Sequence, residues 1–277
     1  MAGPMTLAQY MVLQGPEPTA HIAYGAAASQ YAELFRPPGA GPFPVVVLVH
    51  GGCWQTEFDG IKQFRNMAGA LAAEGIAVWN VEYRRVDEAG GGYPGTYEDM
   101  IGALEALSAA AKTHQLDMSR LAAVGHSAGG YMVQWAAGRA LIPATSPLYR
   151  PRPLSIRHVV SLGGINDLQA WTGVCGFEVS KLTGEPTGTR TNVFADTNPA
   201  ELLPNGSHLV LITGEVDRLV PTEVAFRFAA KAKAAGDSAE VIVLPGASHF
   251  DEAAATSPSW KTTLSVIKHE LGIAEKN

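Results

Sequence analysis

The sequence lacks the features of membrane proteins and nucleic-acid-binding proteins. No apolar run approaches the roughly 20 residues that a membrane span needs, and residues 1–20 have neither a basic start nor an apolar signal core. The formal net charge is -6 and lysine and arginine form no cluster, whereas nucleic-acid affinity depends on neutralising phosphates. We therefore expect a cytoplasmic protein with no membrane partner and no nucleic-acid partner.

Cysteine and paired histidines are also scarce. Cys53 and Cys175 are the only cysteines, too few for a disulfide framework, and neither has metal-type spacing. We expect both to be free thiols, with Cys53 as a small space-filling side chain. The eight histidines include no H-E-x-x-H motif and no other close pair, so the sequence predicts no metal site.

What the sequence does contain is a regular alternation of strand and helix patterns. Strongly apolar runs at 45–50, 76–83, 121–126, 158–164, 208–214 and 240–246 are separated by amphipathic helical patterns. Near-continuous apolar runs suit strands buried on both faces of a parallel sheet. The pattern predicts one α/β domain over residues 1–277, with a mostly parallel central sheet and helices on both faces.

Three regions depart from this alternation. Residues 1–28 are predicted to form an arm or a short helix, and residues 30–37 an early edge strand, with antiparallel pairing as one alternative. Residues 143–156 contain four prolines and are expected to form an irregular surface connection. Residues 165–203 are too long for an ordinary loop and are predicted to form a lid-like insertion over the active site.

The segment Gly125-His126-Ser127-Ala128-Gly129 matches G-x-S-x-G directly after a predicted strand and directly before a predicted helix. In that context the motif places a serine on a sharp turn where larger side chains at the glycine positions would clash. The competing interpretation is a simple glycine-rich turn. We interpret Ser127 as a nucleophile.

A serine nucleophile needs an imidazole base and a carboxylate that orients it, in the chain order serine, acid, histidine for this kind of fold. Asp217 follows the predicted strand at 208–214, and His249 follows the strand at 240–246. Glu215 is the alternative acid, whereas Asp251 is expected to be solvated or to start a helix. The carboxyl ends of parallel strands meet at one edge of the sheet, so these residues are predicted to meet Ser127 there.

An oxyanion formed at Ser127 needs backbone donors. His50-Gly51-Gly52 ends the strand at 45–50, and two glycines let the amides turn toward a substrate. The third donor is expected to be the amide of Ala128, at a helix start.

Six short motifs resemble those of the esterase/lipase branch of the α/β-hydrolase superfamily. They are HGG-x-W at 50–54, VEYR at 81–84, YPGTYED at 93–99, GHSAGG at 125–130, GEVDRLVP at 214–221 and SHFD at 248–251. HGG-x-W resembles the signature of kynurenine formamidases more than the HGGG of lipase-like esterases. The resemblance implies Gly51 and Gly52 as oxyanion-hole residues and no cofactor.

The substrate remains open at this stage. Cys53, Trp54, Trp171 and Phe177, with Phe194, are candidate pocket residues, and each is equally consistent with ordinary core. The leading hypothesis is a carboxylesterase for a small ester. The alternatives are an arylformamidase that hydrolyses a formyl amide, and a binding protein of the same fold without turnover. A monomer or a homodimer is expected.

Overall fold

The computed structural model describes residues 3–58 and 60–274. Eight strands form one sheet in the order β1-β2-β4-β3-β5-β6-β7-β8. Their bounds are β1 Ala20–Ala23, β2 Tyr31–Phe35, β3 Phe43–Val49, β4 Ala77–Val81, β5 Leu116–His126, β6 His158–Leu162, β7 His208–Gly214 and β8 Ser238–Leu244. All pairings from β4 to β8 are parallel, which confirms the mostly parallel sheet.

The antiparallel part of the sheet differs from the prediction in one respect. The strand expected at 30–37 is present as β2, and it pairs antiparallel with both β1 and β4. It is therefore not the edge strand. The edge is β1, which lies within the predicted arm, where a four-residue strand with alternating half-buried residues leaves only a weak sequence pattern.

Seven α-helices accompany the sheet in the described residues. Their bounds are α1 Leu7–Met11, α2 Ile61–Ala73, α3 Gly95–Ala110, α4 Ala128–Gly138, α5 Val179–Thr183, α6 Thr222–Ala235 and α7 Trp260–Glu270. Helices α2 and α7 pack in the core on one face of the sheet, and α3, α4 and α6 in the core on the other. Successive residues of β3 alternate between the two cores, with Val47 on one side and Leu48 on the other. None of the described helices is long and apolar enough to cross a bilayer.

The predicted arm packs on the body of the protein through its first helix. A capping box between Thr6 and Gln9 starts α1, because each side chain bonds to the backbone of the other residue. Just before it, the Met5 amide donates to Asp251 Oδ2 at 2.9 Å, and the Met5 carbonyl accepts from Ser248 Oγ at 2.7 Å. The arm is thus anchored to the loop that carries His249.

The expectation of free thiols is wrong. Cys53 and Cys175 form a disulfide with their Cα atoms 5.0 Å apart, although 122 residues separate them. The bond joins the loop after β3 to the insertion at 165–203. Sequence spacing gave no indication of this pair because only the folding of the insertion over the sheet edge brings the two residues together.

We expect the disulfide to contribute about 2–4 kcal/mol to the free energy of unfolding, because it closes a long loop in the unfolded chain. Urea denaturation with and without reductant measures this contribution for the wild type. The double variant Cys53→Ser/Cys175→Ser is the control, and reductant should leave its stability unchanged. Two titratable thiols in the unreduced, denatured wild type would contradict the bond.

Candidate active site

Ser127 occupies the sharp turn between β5 and α4. Its backbone φ is 54° and its ψ is -119°, outside the broad regions that residues with a side chain usually adopt. The flanking glycines are needed because the chain crosses itself closely. A Cβ on Gly125 would lie 2.2 Å from the Gly129 carbonyl oxygen, and one on Gly129 would lie 2.1 Å from the Val49 carbonyl oxygen. This geometry matches the predicted turn.

The glycine pair after β3 lies against Ser127. A Cβ on Gly51 would be 2.9 Å from the Cβ of Ser127, so only glycine lets the two backbones come this close. Gly52, Cys53 and Trp54 then follow with positive φ values of 104°, 51° and 56°, which turn the loop sharply away from the strand. On the other side of Ser127, Ala128 opens α4, where a backbone amide has no acceptor within the helix.

His50 is held by residues of the VEYR motif. Its Nε2 is 2.9 Å from Glu82 Oε1, its ring stacks on Tyr83 with 4.5 Å between ring centroids, and the Tyr83 hydroxyl donates to the His50 carbonyl at 3.0 Å. Burial alone would raise the pKa of Glu82. His50 and Arg85 outweigh burial, so the pKa of Glu82 lies below its ordinary value. An ionised Glu82 thus fixes the end of β3.

Asp217 and His249 form a buried pair. His249 Nδ1 lies 2.7 Å from Asp217 Oδ2, and the two side chains are 6% and 0% exposed. The other carboxylate oxygen of Asp217 accepts the amides of Leu219 and Val220 at 2.8 and 2.9 Å. These contacts orient the carboxylate and leave Nε2 of the imidazole free for a further partner.

The two alternative acids are engaged elsewhere. Glu215 accepts the Gly246 amide at 2.8 Å and is exposed. Asp251 accepts bonds from Ser248, Ser257 and the Met5 amide, so it organises the histidine loop and the arm. Neither carboxylate is hydrogen-bonded to His249 in the described structure, whereas Asp217 is.

His126 lies beneath His249, with 4.4 Å between their ring centroids. Its Nε2 is 2.8 Å from the carbonyl oxygen of His249, which requires a proton on Nε2. Burial and the neighbouring His249 both lower the pKa of His126 well below its usual range. His126 is therefore a neutral residue that supports the backbone of the His249 loop.

Glu252 is a residue that the sequence analysis did not identify. It is 1% exposed, and its Oε1 accepts the Gly214 amide, whereas its Oε2 has no hydrogen-bond partner among the described residues. Burial first, and Asp217 second, raise the pKa of Glu252 well above its ordinary value. A neutral carboxylic acid thus adjoins the Asp217–His249 pair. The sequence shows only two adjacent acidic residues after Phe250, and nothing in it indicates that Glu252 rather than Asp251 adjoins the pair.

Glu252 also belongs to a group with the geometry of a metal site. Ligand atoms of His126, His249 and Glu252 lie within 4.8 Å of one another, and all three residues are buried. Because Asp217 already bonds Nδ1 of His249 and the His249 carbonyl bonds Nε2 of His126, these nitrogens are engaged. These two hydrogen bonds hold both imidazole rings in place, whereas Glu252 Oε2 and His126 Nδ1 have no hydrogen-bond partner among the described residues.

A cavity of about 240 Å³ opens above these residues, and Ser127, His249, Gly51 and Gly52 line its polar end. The remaining wall is mostly apolar and comes from five separate parts of the chain. Its large apolar members are Leu7, Tyr10, Met11, Phe58, Val174, Leu219 and Phe250. This set could not be predicted from the sequence because its members are scattered and share no periodic pattern.

The predicted aromatic lining is largely wrong. Cys53 does line the cavity, and so does its disulfide partner Cys175. Trp54 is fully buried in the core with its ring edge-on to Tyr131, Trp171 of the insertion packs against the core, and Phe177 is 94% exposed. Phe194 also packs against the core. From the insertion at 165–203, Val174 and Cys175 reach the cavity wall.

The sheet topology and the sharp turn at Ser127 define the class of protein: it has the α/β-hydrolase fold. Among solved structures, Thermogutta terrifontis esterase 2 phosphonylated by sarin superposes with a TM-score of 0.76 over 94% of this chain and 99% of that chain, at 19% sequence identity. The BD-FAE family matches residues 33–232. The chain belongs to the BD-FAE family.

Two curated relatives share parts of the sequence. Esterase EstD of Thermotoga maritima is 31% identical over 139 residues, which are 46% of this chain and 33% of that protein. The uncharacterized peptidase YuxL of Bacillus subtilis is 26% identical over 229 residues, which are 78% of this chain and 33% of that protein. The aligned part therefore spans about a third of the length of either relative.

The raised pKa of Glu252 predicts a pH dependence of stability. Above about pH 4.5 the unfolded glutamate loses its proton while the folded one keeps it, so this group lowers the unfolding free energy as pH rises, by at most about 1.4 kcal/mol per pH unit. Glu252→Gln stays neutral and removes this contribution. In urea denaturation, the stability of the variant relative to wild type should therefore increase between about pH 5 and about pH 8.

Glu240→Gln changes an exposed glutamate and serves as the control, because its stability relative to wild type should change little over the same range. A pH-independent difference between Glu252→Gln and wild type would show that Glu252 ionises normally in the folded protein.

Proposed function

We propose that this protein is a serine carboxylesterase that cleaves small esters with an apolar acyl group through an acyl-enzyme. The observation that carries the proposal is the convergence of three features in one cavity. Ser127 lies on a sharp turn, Gly51 is packed against it, and His249, paired with the buried Asp217, lines the same cavity. The names of the relatives agree with it, since EstD and the Thermogutta protein are esterases.

In the first step, Ser127 Oγ attacks the ester carbonyl carbon while its proton passes to Nε2 of His249. The electron pair of the carbonyl π bond moves onto oxygen, where the amides of Gly51, Gly52 and Ala128 are the proposed donors. Each such donor is worth about 2.7–4 kcal/mol in the transition state. Asp217 keeps its charge, orients the imidazole through Nδ1 and stabilises the imidazolium.

In the second step, the oxyanion collapses and the bond to the alcohol oxygen breaks. The departing alcohol takes the proton from His249 Nε2, which leaves the acyl group on Ser127. Water then attacks the acyl carbon, gives its proton to His249, and the tetrahedral adduct releases the carboxylic acid as Oγ regains its proton. Water is the second reactant in these steps, and residues of the chain carry out all the proton transfers.

The cavity supports the choice of substrate. Its wall of leucine, methionine, valine and aromatic side chains favours an apolar group, and about 240 Å³ is small for a ligand site. Since the α1 residues Leu7 and Met11 line the same small cavity as Val174 and Leu219, a short acyl or alkyl chain is the group that such walls would enclose. The arm would then be a determinant of substrate size.

An arylformamidase or a peptidase would use the same catalytic residues as the esterase, whereas a binding protein would use none of them for catalysis. The comparisons with known proteins give the formamidase hypothesis no support, and the cavity is larger than a formyl group requires. A peptidase would use the same serine on an amide, and a binding protein would use the cavity without turnover. One substrate series separates these functions.

We expect p-nitrophenyl esters to be hydrolysed, and Ser127→Ala to reduce kcat by about 10⁴-fold or more because no nucleophile remains. Asp217→Asn should reduce kcat by about 10³- to 10⁴-fold, because the asparagine amide would favour the wrong tautomer of the imidazole. Steady-state kinetics with p-nitrophenyl esters, N-formylkynurenine and a p-nitroanilide measure these effects. An organophosphonate should add one covalent group to the wild type and none to Ser127→Ala in intact mass spectrometry.

Ser180→Ala, an exposed serine of α5, is the matched control and should retain wild-type kinetics. Turnover that persists in Ser127→Ala would refute the mechanism. Faster hydrolysis of the formyl amide or of the anilide would reassign the substrate class, and absence of any turnover would favour a binding protein.

Met11→Trp should shorten the acyl pocket. We expect kcat/KM for p-nitrophenyl hexanoate to fall about tenfold relative to the acetate, since the loss of contact for roughly two methylenes costs about 0.8 kcal/mol each. Val12→Trp is the matched control, because Val12 is the next residue on the arm, is 69% exposed and does not line the cavity. An unchanged hexanoate-to-acetate ratio in Met11→Trp would show that the acyl group does not bind against the arm.

A further inference from the structure

A second cluster of ionisable side chains lies at the amino ends of the parallel strands, opposite the carboxyl ends where Ser127 lies. His158 and His208 are the first residues of β6 and β7, whereas Ser127 follows the last residue of β5. The two histidines are paired in register on adjacent parallel strands. Since neighbouring strands are about 4.8 Å apart, side chains at paired positions lie side by side.

Both imidazoles converge on one carboxylate oxygen. Nδ1 of His158 lies 2.8 Å from Glu270 Oε2, and Nδ1 of His208 lies 2.9 Å from the same atom. Glu270 comes from the end of α7, so three separate elements supply the three side chains. Their ligand atoms all lie within 4.8 Å of one another.

The charge of Glu270 makes this arrangement unusual. The carboxylate side chain is 2% exposed, and in residues 3–58 and 60–274 it forms an ion pair with neither lysine nor arginine. A buried carboxylate needs a compensating positive charge or several donors. Here the two imidazoles are its partners, and a divalent cation at the same point would supply the missing charge.

The cluster is also open to solvent on one side. The side chains of His158 and His208 are 41% and 32% exposed, and both line a surface depression of about 410 Å³. Asp237 lines the same depression, but its oxygens accept the amides of Asn205 and Gly206. An ion held by the three side chains would therefore keep open coordination positions for water.

We infer that His158, His208 and Glu270 form a binding site for a divalent transition-metal ion such as Zn²⁺. Imidazole nitrogen favours zinc, nickel and copper, whereas Mg²⁺ and Ca²⁺ favour sites made of oxygen. Zinc bonds of about 2.0–2.2 Å place tetrahedral ligands about 3.3 Å apart, so the nitrogens need to move from Oε2 by only about half an ångström. The half-exposed rings have room for that movement.

The site would be structural, because it links α7 to β6 and β7 on the side of the sheet away from the cavity. An ion that binds the folded state and not the unfolded chain raises the melting temperature, and the rise grows with the logarithm of the ion concentration above the dissociation constant. The inference is independent of the proposed esterase activity, since it involves no residue of the Ser127 site.

The test is a titration of untagged, chelator-treated full-length protein with Zn²⁺ alone, followed by calorimetry and thermal melting. We expect one ion per chain with a dissociation constant of about 10 µM or tighter, and a rise in Tm. Affinity should weaken by about tenfold or more in His158→Asn and in His208→Asn, because each removes one ligand. His269→Asn, an exposed histidine beside Glu270, is the matched control and should bind as wild type does.

Co²⁺ provides a second readout that needs no variant. A bound ion with nitrogen ligands in four-coordinate geometry should give the intense visible absorption of tetrahedral cobalt, and Mg²⁺ or Ca²⁺ should not displace it. Equal Zn²⁺ affinity in wild type and both histidine variants, a dissociation constant weaker than about 100 µM, or a Co²⁺ spectrum like that of the free ion would each overturn the inference.

Discussion

The close crossing of backbone segments at Ser127 is the constraint on which the rest of the site depends. The start of α4 passes the end of β3 so closely that any side chain at Gly129 would overlap the Val49 carbonyl, and one at Gly125 would overlap Gly129 itself. This contact is what brings Gly51 against Ser127. A larger residue at any of these glycines would push the strand end and the helix start apart, and with them the proposed oxyanion donors and the proposed nucleophile.

Burial then determines the charges around that crossing. His126 and Glu252 both adjoin the Asp217–His249 pair, and desolvation favours the neutral form of each. Two backbone amides fix the carboxylate of Asp217 in place. A low-dielectric site with one oriented negative charge is well suited to stabilise an imidazolium that forms transiently. A second carboxylate anion at Glu252 would compete for that role and would disturb the orientation.

The apolar half of the cavity depends on long-range ties. The arm reaches the cavity because Met5 is hydrogen-bonded to Ser248 and Asp251 in the loop that carries His249. The same loop therefore positions both the arm side of the cavity wall and the proposed base. On the other side, the Cys53–Cys175 bond attaches the insertion to the loop after the glycine pair. The walls that would select a substrate are thereby coupled to the elements that would carry out the chemistry. His158 and His208 are not among the residues that line this cavity.

The features that depend on local pattern could be predicted from the amino-acid sequence alone. Apolar runs identified the six central strands because strands buried on both faces must be apolar throughout. The glycines around Ser127 and the order of Ser127, Asp217 and His249 indicated the site, because parallel topology carries strand ends to one edge. Local pattern also favoured Asp217 over Glu215 as the acid that orients His249. In the structure, His249 is hydrogen-bonded to Asp217. The contacts between distant segments could be found only in the folded structure. They are the disulfide, the cavity wall from the arm, the burial of Trp54 and Glu252, and the contact of His158 with His208. These contacts depend on how the arm, the insertion and the helices pack on the sheet. Packing between segments that are far apart in the chain leaves no periodicity that a single sequence reveals.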